Sequence, residues 1–179
     1  MEQEWMPFII SIKTALTATM ITFFLGIFAA NKINKINPKH KGILDSLFTL
    51  PMVLPPTVIG FFLLVILGRN GFIGKLLYSI GINVIFSWGA TVIAAVVVSF
   101  PLMYSTAKGA FEQIDKNILN AAQTMGVSNF KIFWKIMIPL AWPGIAAGTI
   151  LSFARALGEF GATLMIAGNI PGKTQTIPL

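Results

Sequence analysis

Six acidic side chains, one histidine and no cysteine make up most of the reactive inventory of this 179-residue chain. Glu2 and Glu4 lie at the N-terminus, Asp45 at the edge of an apolar run, and Glu112 and Asp115 in the one long polar interval. Only Glu159 falls deep in apolar sequence. That leaves no carboxylate pair for acid–base work, no Ser–His–acid set and no metal cluster. Without cysteine there is no disulfide framework, thiol nucleophile or thiolate metal site. His40 sits among lysines and reads as a solvated side chain. Two Gly–Lys stretches invite a phosphate-loop reading, which requires Gly-x-x-x-x-Gly-Lys-Ser/Thr. Counting back from Gly74–Lys75, Arg69 occupies the first glycine position, and Leu76 follows the lysine. Between Gly168 and Gly172 there are three residues where four are needed. The reading is therefore of a chain with no catalytic site, no nucleotide site and no bound metal or cofactor. One pair does stand out: Arg155 and Glu159 are four apart in an apolar run, so a helix puts them on one face. Ionisable groups at membrane depth face a bundle interior or an aqueous cavity. A structural ion pair and a pair beside a translocation path both fit.

The elements that would position this pair are membrane spans. The chain is 55% hydrophobic and 11% charged, with mean hydropathy +0.80, whereas soluble domains carry about 25% charged residues. Its apolar runs are about 20 residues long, enough to cross a bilayer core. Spans are expected over residues 8–30, 43–67, 84–107 and 138–168 of one all-α polytopic domain, 1–179. The first seven residues hold no Lys or Arg and the first run ends in no cleavage site, so it is no removable signal peptide. The interval 31–42 holds Lys32, Lys35, Lys39 and Lys41, and 108–137 holds Lys108, Lys116, Lys131 and Lys135. The interval 68–83 holds only Arg69 and Lys75. This bias places the first two intervals in the cytoplasm and the N-terminus outside, in a cell (plasma) membrane. It also accounts for the net charge of +7. No basic stripe carries interleaved aromatics, so nucleic acid is not the partner.

Within the second span Pro51, Pro55 and Pro56 cannot all continue a regular helix. Lipid-exposed broken backbone is too costly, so the break faces either protein, as a kink, or a water-filled path. Pro101 predicts a kink in the third span, and Gly158 and Gly161 loosen the chain around Glu159. The segment 68–83 reads as a Gly-rich turn with a short interfacial helix. The tail offers neutral donors to an anion: Asn169, Thr174, Gln175 and Thr176.

The polar interval is patterned as helix. Phe130, Phe133, Trp134 and Met137 fall at i, i+3, i+4 and i+7, with Lys131 and Lys135 between them. Ile118, Ala121, Ala122 and Met125 repeat that spacing. Gly126 separates the two patterns and Ser128 is placed to cap the second. Two short amphipathic helices with a turn between them, set between spans, need something to dock against.

These residues carry a resemblance. Asn120-Ala121-Ala122, Gly126, Ile136 and Pro139 are spaced as in the cytoplasmic loop motif of ABC importer permeases: Glu-Ala-Ala, three residues, Gly, nine residues, Ile, one residue, Leu-Pro. Asn120 replaces the Glu and Ile138 the Leu. LPMVLPPTVIGFFLL with GRNGFIGK, and FARALGEFGATLMIAGNIPGKTQTIPL, resemble the molybdate branch; sulfate permeases are similar but diverge after the Gly-Glu pair. The resemblance implies a second copy of the permease, a cytoplasmic ABC ATPase dimer that uses the ATP, and an extracytoplasmic molybdate-binding protein. It implies that Leu119, Asn120, Ala121, Ala122, Met125, Gly126, Phe130, Phe133 and Pro139 couple to the ATPase. Beside the anion path or gate the expected residues are Pro55, Pro56, Arg155, Glu159, Thr163 and Asn169. One further span is expected beyond Leu179. The alternatives are a permease for sulfate or tungstate, or a self-sufficient anion channel or secondary carrier.

Overall fold

The computed structural model describes residues 2–34 and 36–179. Lys35 of the basic interval and Met1 lie outside these residues, as do the side chains of Glu2, Gln3, Glu4 and Pro38. Every regular element described is helical: α1 (Glu2–Ile33), α2 (Pro38–Val53), α3 (Pro56–Leu67), α4 (Phe72–Ser79), α5 (Trp88–Glu112), α6 (Lys116–Thr124), α7 (Asn129–Ile132), a π-helical segment (Phe133–Met137), α8 (Ile138–Leu157) and α9 (Gly161–Ala167). Three of the described helices are long and apolar enough to cross a membrane: Trp5–Ile33, Trp88–Glu112 and Asn129–Leu157.

The centre of the bundle is α5, packed between α1 and α8. Its inward positions are small: Ala90, Thr91, Ala94, Ala95 and Ser99 are all buried. Small residues let helices approach closely where no hydrophobic effect drives them together. Gly144 and Gly148, one turn apart on α8, do the same from the other side. A Cβ on Gly148 would stand 2.0 Å from Thr106 Oγ1, and one on Gly144 2.6 Å from the Ala110 Cβ. Hydroxyls add cross-links. Trp88 Nε1 donates to Thr14 Oγ1 at 3.0 Å, the Thr14 and Thr91 hydroxyls meet at 3.3 Å, and Ser152 donates to Ser99 O at 3.4 Å. Lys13 of α1 adds a cation–π contact, its Nζ 4.4 Å from the centre of the Trp88 ring.

Elsewhere the helices depart from the expected spans. The second span is not one rod: α2 and α3 meet at an angle of 113°. The break falls at Leu54–Pro55, where Pro55 caps α3 and Pro56 begins it. Pro51 stays inside α2, and Pro101 inside a continuous α5. α5 also runs to Glu112, taking in the first five residues of the interval expected to be a loop. The second amphipathic helix is not separate either. α7 continues through the π-helical segment into α8. Pro139 explains that segment, because it has no N–H to return to Lys135, and the helix accommodates by widening. Ile138 N–H instead bonds Phe133 O, five residues back. The fourth expected span ends at Leu157, and α9 follows as a separate helix after Gly158–Phe160.

Candidate functional site

Two places gather the singled-out residues. The first is the corner between α6 and α7. Asp115 caps α6, accepting from Asn117 N–H at 2.8 Å. The far end closes on Gly126, whose φ of +76° is left-handed. Val127 N–H bonds Ala122 O at 3.1 Å and Gly126 N–H bonds Gln123 O at 2.9 Å, the paired bonds of a Schellman cap. Nothing lies within 4 Å of a Cβ built on Gly126, so the demand for glycine there is conformational alone. Ser128 occupies the next capping position, but its side chain makes no capping bond.

The corner divides its apolar residues into two sets. Ala122, Ile132 and Ile114 are buried, and Leu119, Phe133 and Met137 pack against the core. The Phe133 ring lies 6.1 Å from that of Phe111. Met125 is 82% exposed and Phe130 73%, with Asn120, Ala121, Ile118 and Trp134 also on the outside. The two expected stripes are thus each split between core and surface. Pro139 is exposed at the start of α8. Behind α6, a cavity of 490 Å³ lies between the corner and the ends of α1 and α5, bordered by Asn31, Lys41, Leu119 and Gln123.

The second place is where the two helix breaks meet. α3 packs along α9, and Pro56 and Thr57 stand 3.1 Å from where Gly161 would carry a Cβ. Glu159, 3% exposed, lies in the α8–α9 break. Its Oε1 accepts from Ala162 N–H at 2.8 Å, capping the first turn of α9. Its Oε2 lies 2.6 Å from Arg155 Nη1, a charge contact without the alignment of a hydrogen bond. A carboxylate this buried is tolerable only when both oxygens are served. Pro55, Pro56, Arg155 and Glu159 are therefore brought to one region. Thr163 is buried on α9, and Asn169 stands beyond the far end of that helix, where it donates to Leu179 O at 3.2 Å.

The tail residues expected to offer donors are partly occupied. Thr174 accepts from Ile170 N–H at 3.0 Å and donates to Gly168 O at 3.1 Å, and Ile177 N–H bonds Ser11 Oγ at 2.7 Å. The Thr174 bonds brace the tail internally, and the Ile177–Ser11 bond holds it against α1.

The sequence reading missed a polar network between α2 and the C-terminal part of α5. Asp45 accepts from the Tyr104 hydroxyl and pairs with Lys108 at 2.5 Å, while Lys41 pairs with Glu112 at 2.8 Å and bonds Asn34 at 3.3 Å. Apart from Lys41–Asn34, these partners are 59 to 71 residues apart, so no local spacing marks them. The reading also missed a cavity of 670 Å³ between α5, α6 and α8, lined in part by Ser105, Thr106, Gly109 and Gln113. The one available signal was the repetition of small and polar residues at helical spacing on α5.

A helical bundle with membrane-length apolar helices, a broken, proline-marked span and an exposed helical corner has the parts of a membrane transport subunit. The chain belongs to the family described as binding-protein-dependent transport system inner membrane component, which matches residues 22–178. It is 46% identical over 178 residues to the molybdenum transport system permease protein ModB of Escherichia coli (strain K12), covering 99% of this chain and 78% of that one. Identity to ModB of Haemophilus influenzae is 45% over 171 residues, covering 95% and 75%. A protein of Chlorokybus atmophyticus described as a probable sulfate transport system permease, cysT, is 36% identical over 172 residues, 96% of this chain and 60% of that one.

Proposed function

We propose that the chain is the transmembrane permease subunit of an ATP-driven molybdate importer. In this reading two copies form the anion path, an extracytoplasmic binding protein delivers the oxyanion, and a cytoplasmic ATPase dimer supplies the energy. The N-terminus lies outside and the α6–α7 corner inside.

The observation that carries the coupling role is the exposure of Met125 and Phe130 on a capped, well-formed corner. An apolar side chain of this size gains about 1.5–3 kcal/mol on full burial, so a corner that presents several is built to be covered. The ATPase grips this corner, and closure of the ATPase dimer moves it. Because α7, the π-helical segment and α8 are continuous, that motion reaches the α8–α9 break at Glu159 as a rigid displacement. The meeting of that break with the Pro55–Pro56 break supports placing the gate there. Arg155 balances the Glu159 charge, so a doubly charged anion passes without meeting a net negative wall. Ser105, Thr106 and Gln113 of the α5–α8 cavity, which Asp115 also borders, offer such an anion hydroxyls and an amide rather than several lysines, which would trap it.

Molybdate is favoured over sulfate by the closer likeness to the molybdenum transport permeases, 45–46% against 36%. The test is uptake of labelled molybdate by proteoliposomes that hold the full chain, its ATPase and its binding protein. ATP-dependent uptake that excess sulfate does not suppress supports the reading. Uptake suppressed equally by sulfate overturns the substrate, and uptake without the ATPase overturns the class.

A further inference from the structure

We propose that the groove between α1 and the π-helix–α8 rod binds an anionic phospholipid of the inner leaflet. The groove has a volume of 420 Å³ and an almost wholly apolar lining that includes Phe24, Phe28, Trp134 and Trp142. In a membrane it is open to lipid, and its particulars favour one kind.

The two helices run antiparallel. Ala15 and Ala18 of α1 cluster with Ala156 near the end of α8, whereas Ile27 and Ile33 cluster with Ala141 and Ile145 near its start. Lys32 follows Phe28 by one turn, with its Nζ 5.4 Å from the Phe28 ring. Lys131 precedes Trp134 by three residues, and Lys135 follows Lys131 at the next turn. The lysines contributed by the two helices therefore stand at the same end of the groove. Lys32, Lys131 and Lys135 are all exposed, and none of them joins the ion pairs among the described residues.

The dimensions fit one leaflet. From Lys32 back to Phe24 is about 12 Å of helix, and from Lys131 on to Trp142 about 16 Å. Half of a bilayer core is about 15 Å. An acyl chain lies along the aromatic floor while its phosphate meets the lysines. Each lysine near the surface attracts an anionic headgroup by about 1 kcal/mol, or about fivefold in local concentration.

The inference uses the membrane placement proposed above but neither the substrate nor the ATPase contact. The test uses the full chain with its ATPase partner in nanodiscs whose leaflets have the same composition, so an inverted topology would leave the result unchanged. With Trp5→Phe and Trp88→Phe, Trp134 and Trp142 are the tryptophans left in residues 1–179, and the same complex with Trp134→Phe and Trp142→Phe added supplies the background emission to subtract. Bromine-labelled phosphatidylglycerol should quench this emission at least about twofold more than bromine-labelled phosphatidylcholine at equal mole fraction. Unlabelled phosphatidylglycerol should reverse the excess, a readout that needs no lysine variant. Replacing Lys32, Lys131 and Lys135 by Gln should remove the preference. Equal quenching by the two lipids would mean ordinary boundary lipid and overturn the proposal. Absence of quenching by either would mean that protein covers the groove, whether a second copy or a further helix, and would overturn it too.

Discussion

The seam between α5 and α8 and the corner between α6 and α7 solve opposite problems with the same residue, glycine. At the seam, Gly144 and Gly148 leave out side chains so that two helices close to contact, with no room for a Cβ. At the corner, Gly126 has open space around it and is needed only for its left-handed backbone. The seam is buried and resists change. The corner turns Met125 and Phe130 outward, and little of the bundle depends on them. A lever needs both: a shaft that does not bend and a handle that something can grip.

The largest expected effect lies on the shaft, at the buried charge. Arg155→Leu leaves the Glu159 carboxylate without its counter-charge, which costs about 3–5 kcal/mol. Thermal denaturation of the purified subunit should show a large drop, and adding Glu159→Gln should recover most of it. If the double variant is as unstable as the single one, pairing is not what matters there. Gly148→Leu should follow at about 1–3 kcal/mol from overpacking against Thr106, read as lost accumulation in the membrane. Gly126→Val should cost about 1–2 kcal/mol, localised to the corner; Gly126→Asn should cost less, because Asn visits that backbone region more readily. Both should still insert, and comparing their ATP-dependent uptake sharpens the division between shaft and handle. Smallest is Lys41→Gln, which removes a partly exposed pair with Glu112 and should change stability by under about 1 kcal/mol.

How much of this was legible in sequence follows from the range of each signal. The all-helical membrane class needed only composition and run length. The corner needed only local spacing, and Gly126 marked its turn directly. Pro55–Pro56 marked a break, but its angle of 113° depends on the packing of α3 along α9, which no local pattern carries. The π-helical segment was hidden because Phe133, Trp134 and Met137 keep a helical spacing while Pro139, just beyond them, upsets the bonding. Arg155–Glu159 was visible at four-residue spacing, yet the cap on Ala162 was not, since it requires α9 to be a separate helix. The Asp45, Tyr104 and Lys108 network escaped entirely, because it joins residues from different spans.

The central claim is that the α6–α7 corner is a cytoplasmic handle covered by the ATPase. Because the chain has no cysteine, Met125→Cys gives a single reactive thiol, and its reaction with a membrane-impermeant maleimide reads both side and cover. The account predicts labelling in inside-out vesicles, no labelling from the outer face, and protection when the ATPase is bound. Labelling from the outer face, or labelling unaffected by the ATPase, would contradict it.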